Sequence, residues 1–169
     1  TKLYVPNTGS NSVSVIDTLN TSGTAGGTVI ATISVGSVPY YPTAIGTKLY
    51  VNNQQADSVS VIDTLNTSGT AGGTVIATIT GGPSLNTFIQ AVGTKLYTSN
   101  QSSIPPSTTV IDTLNTSGTA GGTVIGNISF TGATGVNDSV TIGSKIFFLF
   151  SKRLGLVDTL DTSDTSGGT

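Results

Sequence analysis

The segment VIDTLNTSGTAGGTVI stands three times in the chain without a substitution, at Val15 to Ile30, Val61 to Ile76 and Val110 to Ile125. A chain with this feature folds as a repeat of one unit, because each copy must find the same local structure and each must bury its apolar face against a neighbour. Aligned on the motif that precedes the segment (TKLYV, TKLYV, TKLYT, SKIFF), the copies run over 1–46, 47–93 and 94–143, with a truncated fourth over 144–169. The apolar ends of the segment have an obvious use in packing. Its polar centre, TSGTAGG, has none, and the strict identity of that centre is what a functional reading has to explain.

The local pattern is that of strands. Val13 and Val15 alternate with Ser12 and Ser14, and Val59 and Val61 with Ser58 and Ser60, a period of two that marks half-buried strands. β-Branched residues dominate and strong helix formers are scarce, so the chain is read as all-β with no helix. Each unit supplies a strand at KLYV, a second at SVSVIDT, a third at TVIATI, and a weaker apolar strand ending in glycine (YYPTAIG, FIQAVG, VTIG). The Asp of the IDT motif (Asp17, Asp63, Asp112, and Asp158 in VDT) ends its strand, where a carboxylate accepts backbone N–H groups of the turn. The apolar run Phe147, Phe148, Phe150 is expected between sheets.

The motifs KLYVPN and KLYVNN, then SVSVIDT, then VIATISVG followed by Pro39 resemble the YVTN-type β-propeller repeat, a family of surface-layer-like and cell-surface propeller proteins. The resemblance covers nearly the whole chain, weakens in the third copy (KLYTSN, with Ile104-Pro105-Pro106 inserted) and is partial in the fourth, where KIFFLF stands. It implies a β-propeller of four-stranded antiparallel blades, with the strand ending in glycine innermost (a) and KLYV, SVSVIDT and TVIATI following outward (b, c, d). The chain then holds b-c-d, a-b-c-d, a-b-c-d and a-b-c, about three and a half blades. Such a piece belongs to a larger ring or assembly. Its partners are expected to be further blades of the same chain or other copies of itself, and the continuation past Thr169 is expected to open with V-I-x-x-I. The family's short turn between the second and third strands is replaced here by the longer LNTSGTAGG loop.

Composition excludes several functions. Histidine, cysteine, methionine and tryptophan are absent and all eight acids are Asp, so thiol nucleophiles, disulfides and zinc sites of Cys and His cannot be built. Charged residues are 8 % of the chain, against about 25 % in typical domains. The densest basic site, Lys152-Arg153, is no footprint for nucleic acid. No apolar run approaches the roughly 20 residues of a membrane-spanning helix. GTAGGT lacks the lysine and following helix of a phosphate cradle. Asp57 and Asp138 read as loop residues, and Lys2, Lys48, Lys95 and Lys145 as charges guarding strand starts. No catalytic residue, metal or cofactor is expected.

The remaining candidates lie on surfaces. Asparagine sequons occur at Asn20, Asn66, Asn115, Asn100, Asn127 and Asn137. Three of them recur in the repeated loop among Ser and Thr, on a chain whose few charges leave hydroxyls and amides to keep it in solution. Tyr40 and Tyr41, flanked by Pro39 and Pro42 in a segment between blades, form a candidate platform for a sugar or peptide. Identical loops suit display, adhesion or lateral assembly better than a substrate pocket, which needs different residues converging. The function expected is therefore that of a non-enzymatic, extracellular or cell-surface structural or adhesive protein, glycosylated and a subunit of a surface layer or filament. A ligand- or glycan-binding propeller using the Pro/Tyr face is the alternative, and an enzyme with its catalytic residues in missing blades a third.

Overall fold

The computed structural model describes residues 1–20, 22, 25–68, 71–81, 88–100, 104–151 and 153–160. Lys152 of the basic pair and the tail from 161 onward lie outside them. The described residues form fourteen strands and no helix. Sheet I is β1 (Lys2–Asn7), β2 (Ser12–Asp17) and β3 (Thr28–Ser34). Sheet II is β4 (Pro39–Ile45), β5 (Lys48–Asn53), β6 (Ser58–Asp63) and β7 (Thr74–Ile79). Sheet III is β8 (Ile89–Val92), β9 (Lys95–Asn100), β10 (Ser107–Asp112) and β11 (Thr123–Ser129). Sheet IV is β12 (Val136–Ile142), β13 (Lys145–Phe150) and β14 (Leu154–Asp158). Every pairing is antiparallel between sequence neighbours. The all-β expectation and the inventory of three, four, four and three strands therefore hold.

The sheets pack face on face in chain order, and the period of two decides which residues meet. One face of sheet I (Val13, Val15, Ile33, Tyr4) packs on Leu49, Val51 and Ile62 of sheet II. The other face of sheet II (Tyr50, Val59, Val61, Ile79) packs on Ile89, Leu96 and Ile111 of sheet III. Tyr97 and Val110 of sheet III then meet Val136, Ile146, Phe148, Phe150 and Val157 of sheet IV. Phe148 and Phe150 are thus buried between sheets as expected, with the ring of Phe130 tilted against both at 5.2 and 5.0 Å. Phe147 is a correction: alternation turns it to the opposite face, where it lines a shallow groove with Val140, Leu149 and Leu154. The edge strands β1, β4, β8 and β12 adjoin in that order. Side chains tie them together: Thr43 Oγ1 donates to the Ile89 carbonyl at 3.4 Å, and Gln90 Nε2 donates to Ser139 Oγ at 3.1 Å.

The apolar pair in TVI has a structural cause. The pairing of β2 with β3 shifts between Val15 and Ile16, and the same shift recurs at Val61/Ile62 and Val110/Ile111. The extra residue is Ile30, Ile76 or Ile125, and a bulge of this kind re-aims the side chains beyond it. Ile76 and its neighbour Ala77 thereby both pack toward sheet III, while Val75 packs toward sheet I.

Candidate functional site

The repeated loop is held by the residues that repeat with it. The aspartate of IDT accepts the backbone N–H two residues on, from Leu19, Leu65 and Leu114 at 3.0 Å each and from Leu160 at 3.1 Å. The following threonine donates twice, through N–H and Oγ1, to the carbonyl preceding the KLY strand: Thr18 to Thr1, Thr64 to Thr47, Thr113 to Thr94 and Thr159 to Ser144. Each Lys at the start of that strand lies opposite the same Asp, as in Lys2↔Asp17 and Lys48↔Asp63, and Lys145 pairs with Asp158. The lysines thus sit at strand starts as expected, each facing a carboxylate.

Beyond this clasp the loop turns on its asparagine. In all three copies the Asn Oδ1 accepts from the serine two residues on, at 3.2 Å from N–H and 2.7 Å from Oγ: Asn20 with Ser22, Asn66 with Ser68, Asn115 with Ser117. The carbonyls of Asn20 and Asn66 accept from Thr28 and Thr74 Oγ1 at 2.8 Å, and that of Asn115 from Thr123 Oγ1 at 2.7 Å. These bonds engage the amide oxygen of residues that are exposed (Asn20, Asn115) or half-buried (Asn66). Beside the asparagine, each loop presents a leucine, Leu19, Leu65 and Leu114, exposed by 73–76 %, and Leu160 follows in the fourth unit at 79 %. Leucines exposed to this degree, one at the same place in each unit, make a regular apolar and amide-bearing face.

The inner part of the loop does have a packing role, contrary to the sequence reading. Gly72 is buried against sheet I, where an added Cβ would lie 2.4 Å from Val15 Cγ2, and Gly121 stands in the same relation to Val61. Their carbonyls accept the phenol of the preceding sheet: Tyr4 Oη donates to Gly72 O at 2.6 Å and Tyr50 Oη to Gly121 O at 2.8 Å. The second glycine of each pair (Gly27, Gly73, Gly122) has φ of +119°, +136° and +144° and lies against the carbonyl of the IDT aspartate. Side chains are strained in that region. Burial raises the pKa of Tyr4 and Tyr50 and pushes Tyr97 up to about 12, so these phenols stay protonated donors.

The other sequons differ. Asn100 is fully buried and its Nδ2 donates to Ser107 Oγ at 2.9 Å and Thr109 Oγ1 at 3.0 Å. That nitrogen cannot carry a glycan in the fold, which corrects its inclusion. Asn7 and Asn53 make the same bonds to Ser12 and Ser14 and to Ser58 and Ser60, so the position locks the turn between b and c. Asn127 lies exposed on β11 with Oδ1 accepting from Thr109 Oγ1 at 2.6 Å. Asn137 lies exposed on β12, at the shift in its pairing with β13. Tyr40 and Tyr41 belong to β4 itself rather than to a linker. They are 38 % and 48 % exposed, their rings lie 5.8 Å apart, and Tyr41 continues to Phe88 at 5.2 Å. Tyr41 has φ +44° at an irregularity in the pairing, which turns both rings outward from one strand.

No protein-family model matches the chain, and neither does any curated protein. Solved structures do match over 99 % of it. One is a functionally unknown protein from Desulfotomaculum acetoxidans, with a TM-score of 0.69 at 16 % identity. Another, from Bacteroides fragilis and provisionally described as a 6-phosphogluconolactonase, has a TM-score of 0.69 at 15 % identity and a propeller-like fold. The chain spans about half the length of each, 53 % and 49 %. At these identities the likeness is one of fold.

Proposed function

We propose that the chain is part of a β-propeller of YVTN type, and that it serves as a non-enzymatic structural or adhesive protein of the cell surface whose identical loops carry glycans and assembly contacts. The observation that carries the reading is the threefold loop: Asn20, Asn66 and Asn115 share one hydrogen-bonded conformation, each beside an exposed leucine. A pocket enzyme gains nothing from three surface loops of identical sequence, whereas an array for display or lateral packing does. The ordered stack of sheets, the adjoining edge strands and the likeness to a propeller-like structure support the ring. Further sheets, of this chain or of other copies, would cover its two outer faces. Intact-mass spectrometry of the native material, before and after deglycosylation, tests the reading. Glycan mass mapping to Asn20, Asn66 and Asn115 is expected, and a native protein of bare peptide mass would overturn it.

A second reading rests on the rings of Tyr40, Tyr41 and Phe88. Three aromatic groups in a row, two of them well exposed, suit stacking on a sugar or peptide. Titration of Tyr40→Ala and Tyr41→Ala variants on a glycan array separates this role from the first.

A further inference from the structure

Each seam between sheets is made by the same pair of surfaces, and the two ends of the stack leave one of each uncovered. Call the face that carries the b-strand tyrosine and c-strand valines the front, and the face that carries Leu49, Val51 and Ile62 the back. Front meets back at all three seams. At the first two, the tyrosine of the front bonds the first glycine of the next sheet's loop, and a front valine fills the space over that glycine.

The back of sheet I is built in the same way and, among the described residues, nothing covers it. Leu3 and Val29 are exposed on it, with Val5 and Ile16 half-buried between them. Its loop glycine is Gly26, the equivalent of Gly72 and Gly121. Among the described residues nothing lies within 4 Å of a Cβ added there, whereas the same addition meets valine at 2.4 Å in the two formed seams. Gly26 is exposed and Gly72 and Gly121 are buried, so the sequence of the socket is the same and only the occupant differs.

We propose that the back of sheet I receives another sheet of this same repeat, one that presents a b-strand tyrosine to the Gly26 carbonyl and a c-strand valine over its Cα. The front of sheet IV is a poor match. Phe147 stands in the tyrosine's place without a hydroxyl, and Leu156 in the valine's place with a longer branch. The fronts of sheets I, II and III are already buried. The occupant is therefore a sheet with the K-L-Y and V-x-V pattern outside these fourteen strands, and the socket discriminates against head-to-tail stacking through sheet IV. The inference rests on the stacked-sheet reading and is independent of glycosylation.

The test gives sheet IV the missing chemistry. Phe147 is half-buried and Leu156 exposed, so Phe147→Tyr with Leu156→Val leaves the fold intact while making the front of sheet IV resemble the others. Sedimentation velocity over a concentration series is expected to show self-association about tenfold tighter than in the parent, the gain of one buried hydrogen bond and of a valine of the size that fits over the glycine in the formed seams. Gly26→Val in the same chain, harmless in the monomer, is expected to return it to the parent's behaviour. Phe147→Tyr alone adds only a hydroxyl to a half-exposed ring and is expected to move association in the same direction. No gain in any variant, or a gain that survives Gly26→Val, overturns the proposal.

Discussion

Three glycines in one identical sequence offer an internally controlled test of how the sheets are joined. Gly26, Gly72 and Gly121 each stand in GTAGGT, and none has a φ in the left-handed region, so alanine is locally tolerated at all three. Their surroundings differ. At Gly121 a Cβ would lie 2.4, 2.7 and 2.8 Å from the side-chain atoms of Val61, itself fully buried and unable to turn away. Forcing a methyl group into such a site costs about 1–3 kcal/mol. Displacing the loop also stretches the Tyr50–Gly121 bond, worth about 1 kcal/mol. Gly121→Ala should therefore lose about 2–4 kcal/mol, a fall in Tm of about 4–16 °C for a chain of this size. Gly72→Ala, over Val15, should lose a similar amount. Gly26→Ala should be neutral or gain about 0.4–1 kcal/mol through the unfolded state. Thermal and urea denaturation of the three variants read the differences, and Val61→Ala should rescue Gly121→Ala in part by restoring room. Three equal values would refute the assignment of the first glycine to the seam.

Other expectations follow from the same geometry. Tyr50→Phe should cost about 1 kcal/mol in urea denaturation, since it removes a buried donor and leaves the Gly121 carbonyl without it. Asn52 is fully buried on the face of sheet II that carries Tyr50, and among the described residues neither amide atom has a partner, so Asn52→Leu should be neutral or stabilising by about 1–3 kcal/mol on the same assay. Asn100→Gln should destabilise the fold without changing glycan mass, whereas Asn115→Gln should remove one glycan and leave Tm within a few degrees. The folded-state pKa of Tyr97, about 12, lies above the ordinary 10.0. The unfolded chain then releases its phenolic proton first, so this contribution to stability is complete below pH 10 and is lost as pH rises toward 12. Denaturation midpoints followed against phenolate absorbance check that sign.

Much of the fold is legible in the sequence because strand signals are local. The alternation in SVSVIDT and the repetition of KLYV place β5 and β6 without reference to anything distant, and the turn role of the IDT aspartates follows from the residue type. What the sequence hides are relations between units. The glycine pair reads as a flexible loop until the valine and tyrosine of the neighbouring sheet are set against it. The signal was present nonetheless: Tyr4 and Tyr50 recur with the glycines they bond. Asn100 matches the sequon pattern as well as Asn115 does, and only its alignment with Asn7 and Asn53 at the end of the b strand marks it as a buried lock. The leucines of LNTS, and Leu160 of LDTS, escape a sequence reading for the opposite reason, since a leucine beside a strand end is expected to be buried and these four are not. Phe147 reads as one of the buried aromatics because an apolar run hides the alternation that separates two faces.

If the sheets stack front on back as members of a larger ring, another sheet covers the Gly26 face of sheet I in the native material. Electron cryomicroscopy of the native material at side-chain resolution tests this most directly. The predicted result is a tyrosine hydroxyl from a neighbouring sheet within hydrogen-bonding distance of the Gly26 carbonyl, in the geometry of Tyr4 over Gly72. Native material in which Leu3, Val29 and Gly26 face solvent would contradict it.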